Sequence, residues 1–376
     1  MAESKPKILN QLRPSRLLWP LLIGVAVFAY AIYQIRQEGI NPIHEINWSG
    51  SVLGWIILGF LVMIIRDVGY IWRMRILTDQ KLSWRSAIEV TLLWEFASSL
   101  TPSVVGGSAV AIFMLMKEKI TAGRSTAIVF VTIFLDEVFY LVMLPLVLIV
   151  VGQADIFGPV NDDTGAFGMG LIISFWAAYG IIFCYTLFLA FALFIRPNGT
   201  SRVFKRLFST RLLKRWQRSG FNMANDLLVS ANEFRKKKFS YWLEAGAATF
   251  IAWMGRYLVL NCVLAAFSLL SIYQHLVAFG RQAIMFVVMI VSPTPGSSGV
   301  AESLFANLFS EFSPAGLELI LATVWRIISY YPYLLIGIFL LPRWISRVFK
   351  NPAPKPKNPP ENKKMEQKLE PAEAEN

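Results

Sequence analysis

The sequence predicts an all-α polytopic membrane protein with about six to eight transmembrane helices. Of its 376 residues, 55% are hydrophobic and 16% are charged, and the mean hydropathy is +0.52. Soluble domains carry about 25% charged residues, so this composition excludes a soluble enzyme. Apolar runs of about 20 residues, long enough to cross a hydrocarbon core of roughly 30 Å, recur along the chain.

Six apolar runs are long enough to span a membrane. They cover residues 17–35, 52–72, 125–151, 169–195, 241–268 and 316–341. Two further runs, 86–116 and 272–309, are interrupted at 101–107 and 292–299 by proline and glycine. Because these residues break helices, each interrupted run is predicted to form two helical arms joined by a tip.

The positions of the Lys and Arg residues predict the orientation of the chain. With a cytoplasmic N-terminus, 26 of the 36 basic residues fall in cytoplasmic segments and one, Arg36, falls outside. Both ends of run 86–116 then lie inside and both ends of run 272–309 lie outside, which predicts two re-entrant hairpins. Eight full crossings are the alternative. We expect both termini to be cytoplasmic.

The predicted organisation has five parts. They are a cytoplasmic N-terminus at 1–16, a first membrane segment at 17–195, a cytoplasmic linker at 196–240, a second membrane segment at 241–342 and a cytoplasmic, disordered tail at 343–376. Basic residues are interleaved with Phe, Leu and Trp over 202–218, which predicts an amphipathic helix that binds anionic lipids of the inner leaflet. Generic positive-inside charge is the alternative. The basic residues flank apolar runs, so we expect no nucleic-acid partner.

Charged residues within the apolar runs have the same spacing in the two halves of the chain. Arg66 and Asp136 are 70 residues apart, as are Arg256 and Arg326, and each pair brackets one tip. Each half reads helix, helix, hairpin, helix, in opposite orientations. This pattern predicts an inverted repeat, in which broken helices frame a transport site near the bilayer midplane.

Charges deep in a membrane are costly unless they are paired or hydrated. We therefore predict that Arg66, Asp136, Arg256 and Arg326 contact the substrate. A buried structural ion pair, for instance Asp136 with Arg326, is the alternative. For Arg66, snorkelling to the cytoplasmic interface is a further alternative.

The two tips complete the predicted site. Backbone N–H groups at the start of a helix, together with its positive dipole end, bind anions such as phosphate. Glu302 either caps the helix that follows or accepts a proton or a cationic headgroup. The tip residues predicted to bind substrate are Gly296, Ser297, Ser298 and Gly299 in the second hairpin, and Pro102, Gly106 and Gly107 in the first.

Residues 293–302, followed by Trp325 and Arg326, resemble a known family signature. It is the Pro-Gly-Gly-x-Gly-x-x-Glu and downstream Tyr-Arg pattern of the lysylphosphatidylglycerol synthase transmembrane-region family, also called flippase-like or UPF0104. Pro102-x-x-x-Gly106 and Asp136 resemble its first-half pattern, and the resemblance covers roughly residues 15 to 345.

The sequence departs from the family pattern at both tips. Ser297 replaces the second glycine of the Gly-Gly pair, and Ser103, Val104 and Val105 stand where polar and charged residues usually follow the first proline. The second departure weakens the transfer of a substrate role to the first tip.

The resemblance implies movement of an anionic phospholipid or a polyprenyl-phosphate-linked lipid between the leaflets of a bacterial inner membrane. It does not imply lysyl transfer, which in the family belongs to a separate soluble domain. A non-transporting scaffold or regulator of envelope lipid synthesis is the alternative.

We expect no enzymatic activity, metal or cofactor. The two histidines, His44 and His275, lie outside and near the outer surface in the predicted topology, where neither can serve a serine nucleophile at 296–299. The chain also lacks a His-Glu-x-x-His motif. The sequence is compatible with a homo-oligomer.

Overall fold

The computed structural model describes residues 49–101, 104–161, 166–210, 217–290, 292 and 294–350, together with Ala29 and Tyr33. The predicted N-terminus at 1–16, most of the first apolar run and the part of the predicted tail from 351 onward lie outside the described residues. Residues 343–350, predicted as the start of the disordered tail, are instead helical, because they continue the last described helix. All regular structure in the described part is helical. The all-α prediction is therefore confirmed.

Thirteen α-helices follow one another along the described part of the chain. They are α1 Gly50–Leu77, α2 Trp84–Leu100, α3 Val104–Lys117, α4 Ala122–Val151, α5 Gln153–Asn161, α6 Ala166–Ala190, α7 Pro197–Phe208, α8 Gln217–Arg235, α9 Phe239–Phe267, α10 Ile272–Ile290, α11 Val300–Leu308, α12 Glu318–Ser329 and α13 Tyr331–Lys350. A π-helical turn, Phe191–Ile195, extends α6, and two 3₁₀ turns, Pro295–Ser297 and Ser310–Phe312, flank α11.

Six described helical segments are long and apolar enough to cross a membrane. They are Gly50–Leu77, Ala122–Val151, Ile172–Ile195, Phe239–Phe267, Ile272–Ile290 and Glu318–Val348. Their number agrees with a polytopic membrane protein. The last segment is divided between α12 and α13 at Tyr330, which has a non-helical backbone.

Local capping explains where the helices near the predicted cytoplasmic face begin. Ser83 accepts a hydrogen bond from the backbone N–H of Ser86 at 3.1 Å, and Thr121 accepts one from Arg124 at 3.4 Å. Hydroxyl caps of this kind satisfy donors that the first helical turn leaves unpaired. α4 ends at Gly152, whose φ of 90° suits glycine.

α1 and α9 are antiparallel and form the most extensive helix contact among the described elements. Gly59 of α1 faces Cys262, whereas Gly69, ten residues later, faces Ala252, ten residues earlier in α9. Glycine at these positions lets the two backbones approach closely. Antiparallel packing is the relation that the predicted inverted repeat requires of these equivalent helices.

Both interrupted runs fold back as helical hairpins. The Arg347 guanidinium contacts both Glu89, in the first turns of α2, and Glu118, just after α3. The two arms of the first hairpin therefore lie together at the end opposite the tip. In the second hairpin, Arg281 of α10 donates a hydrogen bond to the carbonyl of Leu308 at the end of α11 at 3.0 Å. That these hairpins are re-entrant in the membrane stays a prediction.

The helix that contains the second apolar run extends beyond the run itself. A run at 52–72 places Arg73 in the cytoplasmic segment that follows, whereas α1 continues to Leu77 and buries Arg73. Arg73 therefore belongs with the arginines inside the helical bundle. Charge alone could not place it, because an arginine at a helix end satisfies the positive-inside rule equally well.

The linker forms two helices rather than one. α7 covers the first part of the predicted amphipathic stretch at 202–218, of which residues 211–216 lie outside the described residues. α8 packs against α7 and α4. Arg124 at the start of α4 bridges Asp79 at 2.8 Å and Glu233 of α8 at 2.7 Å, which fixes the linker to the bundle.

Candidate functional site

Arg66 occupies the crossing of α1 and α9, where the absence of a side chain on Gly255 makes room for it. Only 1% of its side chain is exposed. Its Nη2 lies 2.6 Å from Glu95 Oε2, and its Nη1 donates hydrogen bonds to Asp67 at 3.1 Å and to the hydroxyl of Tyr333 at 2.5 Å. Arg66 thus forms a buried ion pair and does not snorkel.

Arg256 lies beside Arg66 but forms a weaker ion pair. Its side chain is 38% exposed, and its contact with Glu95 is 3.5 Å long. Its Nε has no hydrogen-bond partner among the described residues. The guanidinium lies 5.4 Å from the ring centre of Trp253 and 5.9 Å from that of Tyr70. Of the predicted arginines, Arg256 has the donors most available to a ligand.

Asp136 is held by partners that the sequence analysis did not name. Its Oδ1 lies 2.5 Å from Nη1 of Arg73 and accepts a hydrogen bond from the indole N–H of Trp253 at 2.7 Å. Arg73 also donates to the hydroxyl of Thr249 at 3.1 Å. The predicted alternative, a pair between Asp136 and Arg326, is not formed.

These groups form one central cluster around the ring of Tyr70. The guanidinium carbons of Arg66, Arg73 and Arg256 lie 4.8, 4.9 and 5.9 Å from the ring centre. We call the whole set the central cluster: Arg66, Asp67, Tyr70, Arg73, Glu95, Asp136, Trp253, Arg256 and Tyr333. It contains three arginines and three carboxylates, so its charges balance when all are ionised.

The second tip has a tight, specific backbone. Gly296, Ser297 and Gly299 have φ angles of 56°, 55° and 87°. A Cβ atom at Gly296 would lie 2.3 Å from the Tyr330 ring, so only glycine fits there. Ser297 adopts its unusual backbone while its hydroxyl donates to the carbonyl of Met289 at 2.9 Å. The serine that departs from the family pattern therefore satisfies the end of α10.

Glu302 and Arg326 form a buried ion pair next to this tip, with 2% and 3% of their side chains exposed. The two side chains lie 3.1 Å apart, and the second oxygen of Glu302 accepts the backbone N–H of Gly299 at 2.6 Å. Arg326 donates to the carbonyl of Gly296 at 2.7 Å and to the hydroxyl of Ser298 at 3.2 Å. Glu302 thus caps α11, one of its two predicted roles, and its carboxylate occupies one of the N–H groups predicted to hold phosphate.

The two hairpin tips meet at Tyr330. Its hydroxyl donates to the carbonyl of Ser99 at the end of α2 at 2.9 Å, and its ring contacts Gly296. The Arg326 guanidinium lies 3.8 Å from the centre of the same ring. The single aromatic side chain therefore joins the end of the first hairpin's leading arm to the second tip.

The structure gives fewer contacts for the predicted residues of the first tip than for those of the second. Pro102 lies outside the described residues, and Gly106 lies in the first turn of α3. A Cβ atom at Gly107 would overlap the hydroxyl of Ser98, so this glycine lets the two arms of the hairpin pack closely. Contact of these residues with substrate stays a prediction.

The predicted site residues do not include Asp67, Arg73 or Glu95, which are charged members of the central cluster. Glu95 lies within an apolar run, and the rule that singled out Asp136 applies to it equally. Tyr70, Trp253 and Tyr333 carried no comparable signal, because buried aromatic residues are common in any helical bundle.

Comparisons with known proteins show the family of this chain. The family model described as "Lysylphosphatidylglycerol synthase TM region" matches residues 18–337. A UPF0104 membrane protein from Archaeoglobus fulgidus is 25% identical over 330 residues, which are 84% of this chain and 93% of that protein. No solved structure matches the chain. Six apolar segments in the described part of the chain are long enough to cross a membrane, so this is a multi-pass membrane protein, and it belongs to the lysylphosphatidylglycerol synthase TM region family.

Proposed function

We propose that the protein is a flippase-like translocase that moves an anionic phospholipid or a polyprenyl-phosphate-linked lipid between leaflets, without covalent chemistry. The observation that carries this proposal is Arg256: its guanidinium is partly exposed within a membrane-spanning helix, and its only ion pair among the described residues is a contact of 3.5 Å with Glu95. A charged side chain at membrane depth is retained at a cost of several kcal/mol unless it is paired or hydrated.

The geometry allows Arg256 to change partners. Glu95 contacts Arg66 at 2.6 Å through one oxygen and Arg256 at 3.5 Å through the other. If Arg256 turns towards a lipid phosphate, Glu95 keeps its strong partner, and no buried carboxylate is left unpaired. Arginine also binds phosphate through two parallel N–H groups, which favours it over a point charge.

The second tip has a supporting role in this proposal. Arg326 and Glu302 are occupied with each other and with the tip backbone, so they hold the turn that faces the first hairpin. A phosphate reaches the N–H of Gly299 only after the Glu302 carboxylate moves away. Substrate contact at Gly296, Ser297, Ser298 and Gly299 therefore belongs to a different conformation from the one described.

The proposal places both termini on the cytoplasmic side of the cell membrane and α7 at the inner leaflet. Val203 and Leu207 are 59% and 50% exposed and lie one helical turn apart. Arg202 and Arg206 are exposed next to them. An apolar stripe bordered by arginines is typical of a helix that lies in the interface of an anionic leaflet.

The test is lipid movement in reconstituted vesicles. A fluorescent phosphatidylglycerol analogue is incorporated in both leaflets, and a membrane-impermeant reductant then bleaches the outer one. We expect wild type to expose the inner pool faster than protein-free vesicles do. Loss of a charge-assisted hydrogen bond of about 1.5–3 kcal/mol predicts that Arg256→Gln is about 10- to 100-fold slower.

The matched control is Arg343→Gln, which removes an exposed arginine of α13 and should leave the rate unchanged. If wild type moves lipid no faster than empty vesicles, the translocase proposal is wrong. The scaffold alternative predicts that outcome together with a protein partner.

A further inference from the structure

Glu137 is the one carboxylate in the middle of α4 that the central cluster does not use. It lies near the midpoint of this 30-residue helix, with about 20 Å of helix on each side. Its neighbour Asp136 is paired with Arg73 and Trp253. The Glu137 carboxylate has no ion pair or hydrogen bond to any residue that the structure describes.

Among the described residues, no positively charged group interacts electrostatically with Glu137. The groups that do are Asp136 and Tyr140 on its own helix, Tyr185 on α6 and Tyr257 on α9. The charge of Asp136 is balanced by Arg73, and the others are phenols. The described residues bury Glu137 only in part.

An ionised carboxylate without a partner is strongly disfavoured at membrane depth, whereas a protonated carboxyl group is neutral. We propose that Glu137 is a proton-binding site, that it is protonated in the conformation described, and that its proton moves together with the lipid. The last part rests on the proposed translocase function. The binding step is simple: the Glu137 carboxylate takes one proton from water and becomes a neutral carboxylic acid.

The link between proton and lipid follows from charge. The central cluster is already balanced, so an anionic headgroup on Arg256 adds one negative charge to it. Arg256 lies 5.4 Å from the ring centre of Trp253, and the indole N–H of Trp253 donates to Asp136, the sequence neighbour of Glu137. A negative charge added at Arg256 therefore favours the protonated form of Glu137. Because linkage is reciprocal, a protonated Glu137 also favours binding of the anionic lipid. One proton and one singly charged lipid then move in the same direction without net charge transfer.

The first experiment measures the proton directly. Infrared spectra of purified protein in nanodiscs at neutral pH report the C=O stretch of protonated carboxyl groups. We expect wild type to show a band that disappears in Glu137→Gln and persists in Glu137→Asp. Glu244→Gln, at an exposed position of α9, is the matched control and should leave the band intact. A spectrum in which Glu137→Gln removes no protonated-carboxyl signal overturns the proposal, whatever the lipid assay shows.

The second experiment measures coupling. Vesicles containing the fluorescent phosphatidylglycerol analogue are given a gradient of one pH unit, and the membrane potential is clamped with potassium and valinomycin. One proton per lipid predicts a steady-state leaflet ratio shifted by up to about tenfold, since one pH unit is tenfold in proton activity. We expect this shift in wild type and in Glu137→Asp, and equal leaflets in Glu137→Gln.

The two failures are distinguishable. A wild-type protein that equalises the leaflets under the gradient refutes coupling but leaves the translocase proposal standing. A wild-type protein that moves no lipid refutes the translocase function, and the infrared result alone then decides whether Glu137 binds a proton.

Discussion

The pair formed by Glu302 and Arg326 allows a quantitative test of what holds the second tip. Both side chains are almost fully buried and lie 3.1 Å apart. Removing one partner of a buried ion pair leaves an uncompensated charge and costs about 3–5 kcal/mol. Glu302→Gln keeps the shape of the side chain, so we expect a loss of stability in that range with little change in packing.

The double variant separates the pair from the rest of the tip. In Glu302→Gln with Arg326→Gln no unpaired charge remains, so the loss should be smaller than the sum of the single losses by roughly 2 kcal/mol. Part of the loss persists, because Arg326 also satisfies the carbonyl of Gly296 and the hydroxyl of Ser298.

Stability is measured by unfolding the protein in mixed micelles of rising dodecyl sulfate content, followed by circular dichroism and tryptophan fluorescence. Glu318→Gln is a suitable control, because Glu318 also accepts a backbone N–H at the start of a helix but forms no ion pair with any residue that the structure describes. A cap alone is worth about 1 kcal/mol. If Glu302→Gln costs no more than Glu318→Gln, or if the two single losses simply add, then the pair does not stabilise the tip.

Three further outcomes are expected. Gly69→Ala brings a Cβ atom to 2.9 Å from the backbone of α9 and should cost about 1–3 kcal/mol in the same unfolding assay, whereas Gly54→Ala, with nothing within 4 Å, should cost nothing. Arg347→Gln removes the group that joins the start of α2 to the end of α3. Amide hydrogen exchange there should rise by about tenfold, which corresponds to an opening free energy lower by about 1.4 kcal/mol. Exchange rates equal to those of Arg343→Gln would contradict this. An environment-sensitive fluorophore on Val203→Cys should shift to the blue in nanodiscs containing phosphatidylglycerol relative to phosphatidylcholine, and equal spectra would show that α7 does not bind an anionic leaflet.

The sequence predicted the broken helices well and the contacts between charges poorly. Proline and glycine act on the local backbone, so the break before α3 and the turn at Gly296 and Gly299 could be located without knowing any neighbour. The equal spacing of Arg66 and Arg256 within the two halves predicts that α1 and α9 are equivalent helices of opposite direction, and the structure packs them antiparallel.

The partners of the buried charges depend on which helices lie side by side, and local sequence carries no such information. Asp136 and Arg326 hold equivalent positions in the predicted repeat, yet Asp136 pairs with Arg73 of α1 and Arg326 with Glu302 of α11. The predicted run 52–72 ends less than two helical turns before α1 ends at Leu77. That difference is enough to assign Arg73 to a loop, although its side chain lies inside the helical bundle. Helix boundaries are uncertain on that scale.

The contact made by Tyr330 has a consequence for the motion of the two hairpins. Because this one ring packs on Gly296 while its hydroxyl donates to the carbonyl of Ser99, the second tip and the end of α2 cannot separate without breaking both interactions. The two hairpins are therefore expected to move as one unit, and a movement that parts them exposes the tyrosine hydroxyl and the Ser99 carbonyl at the same moment.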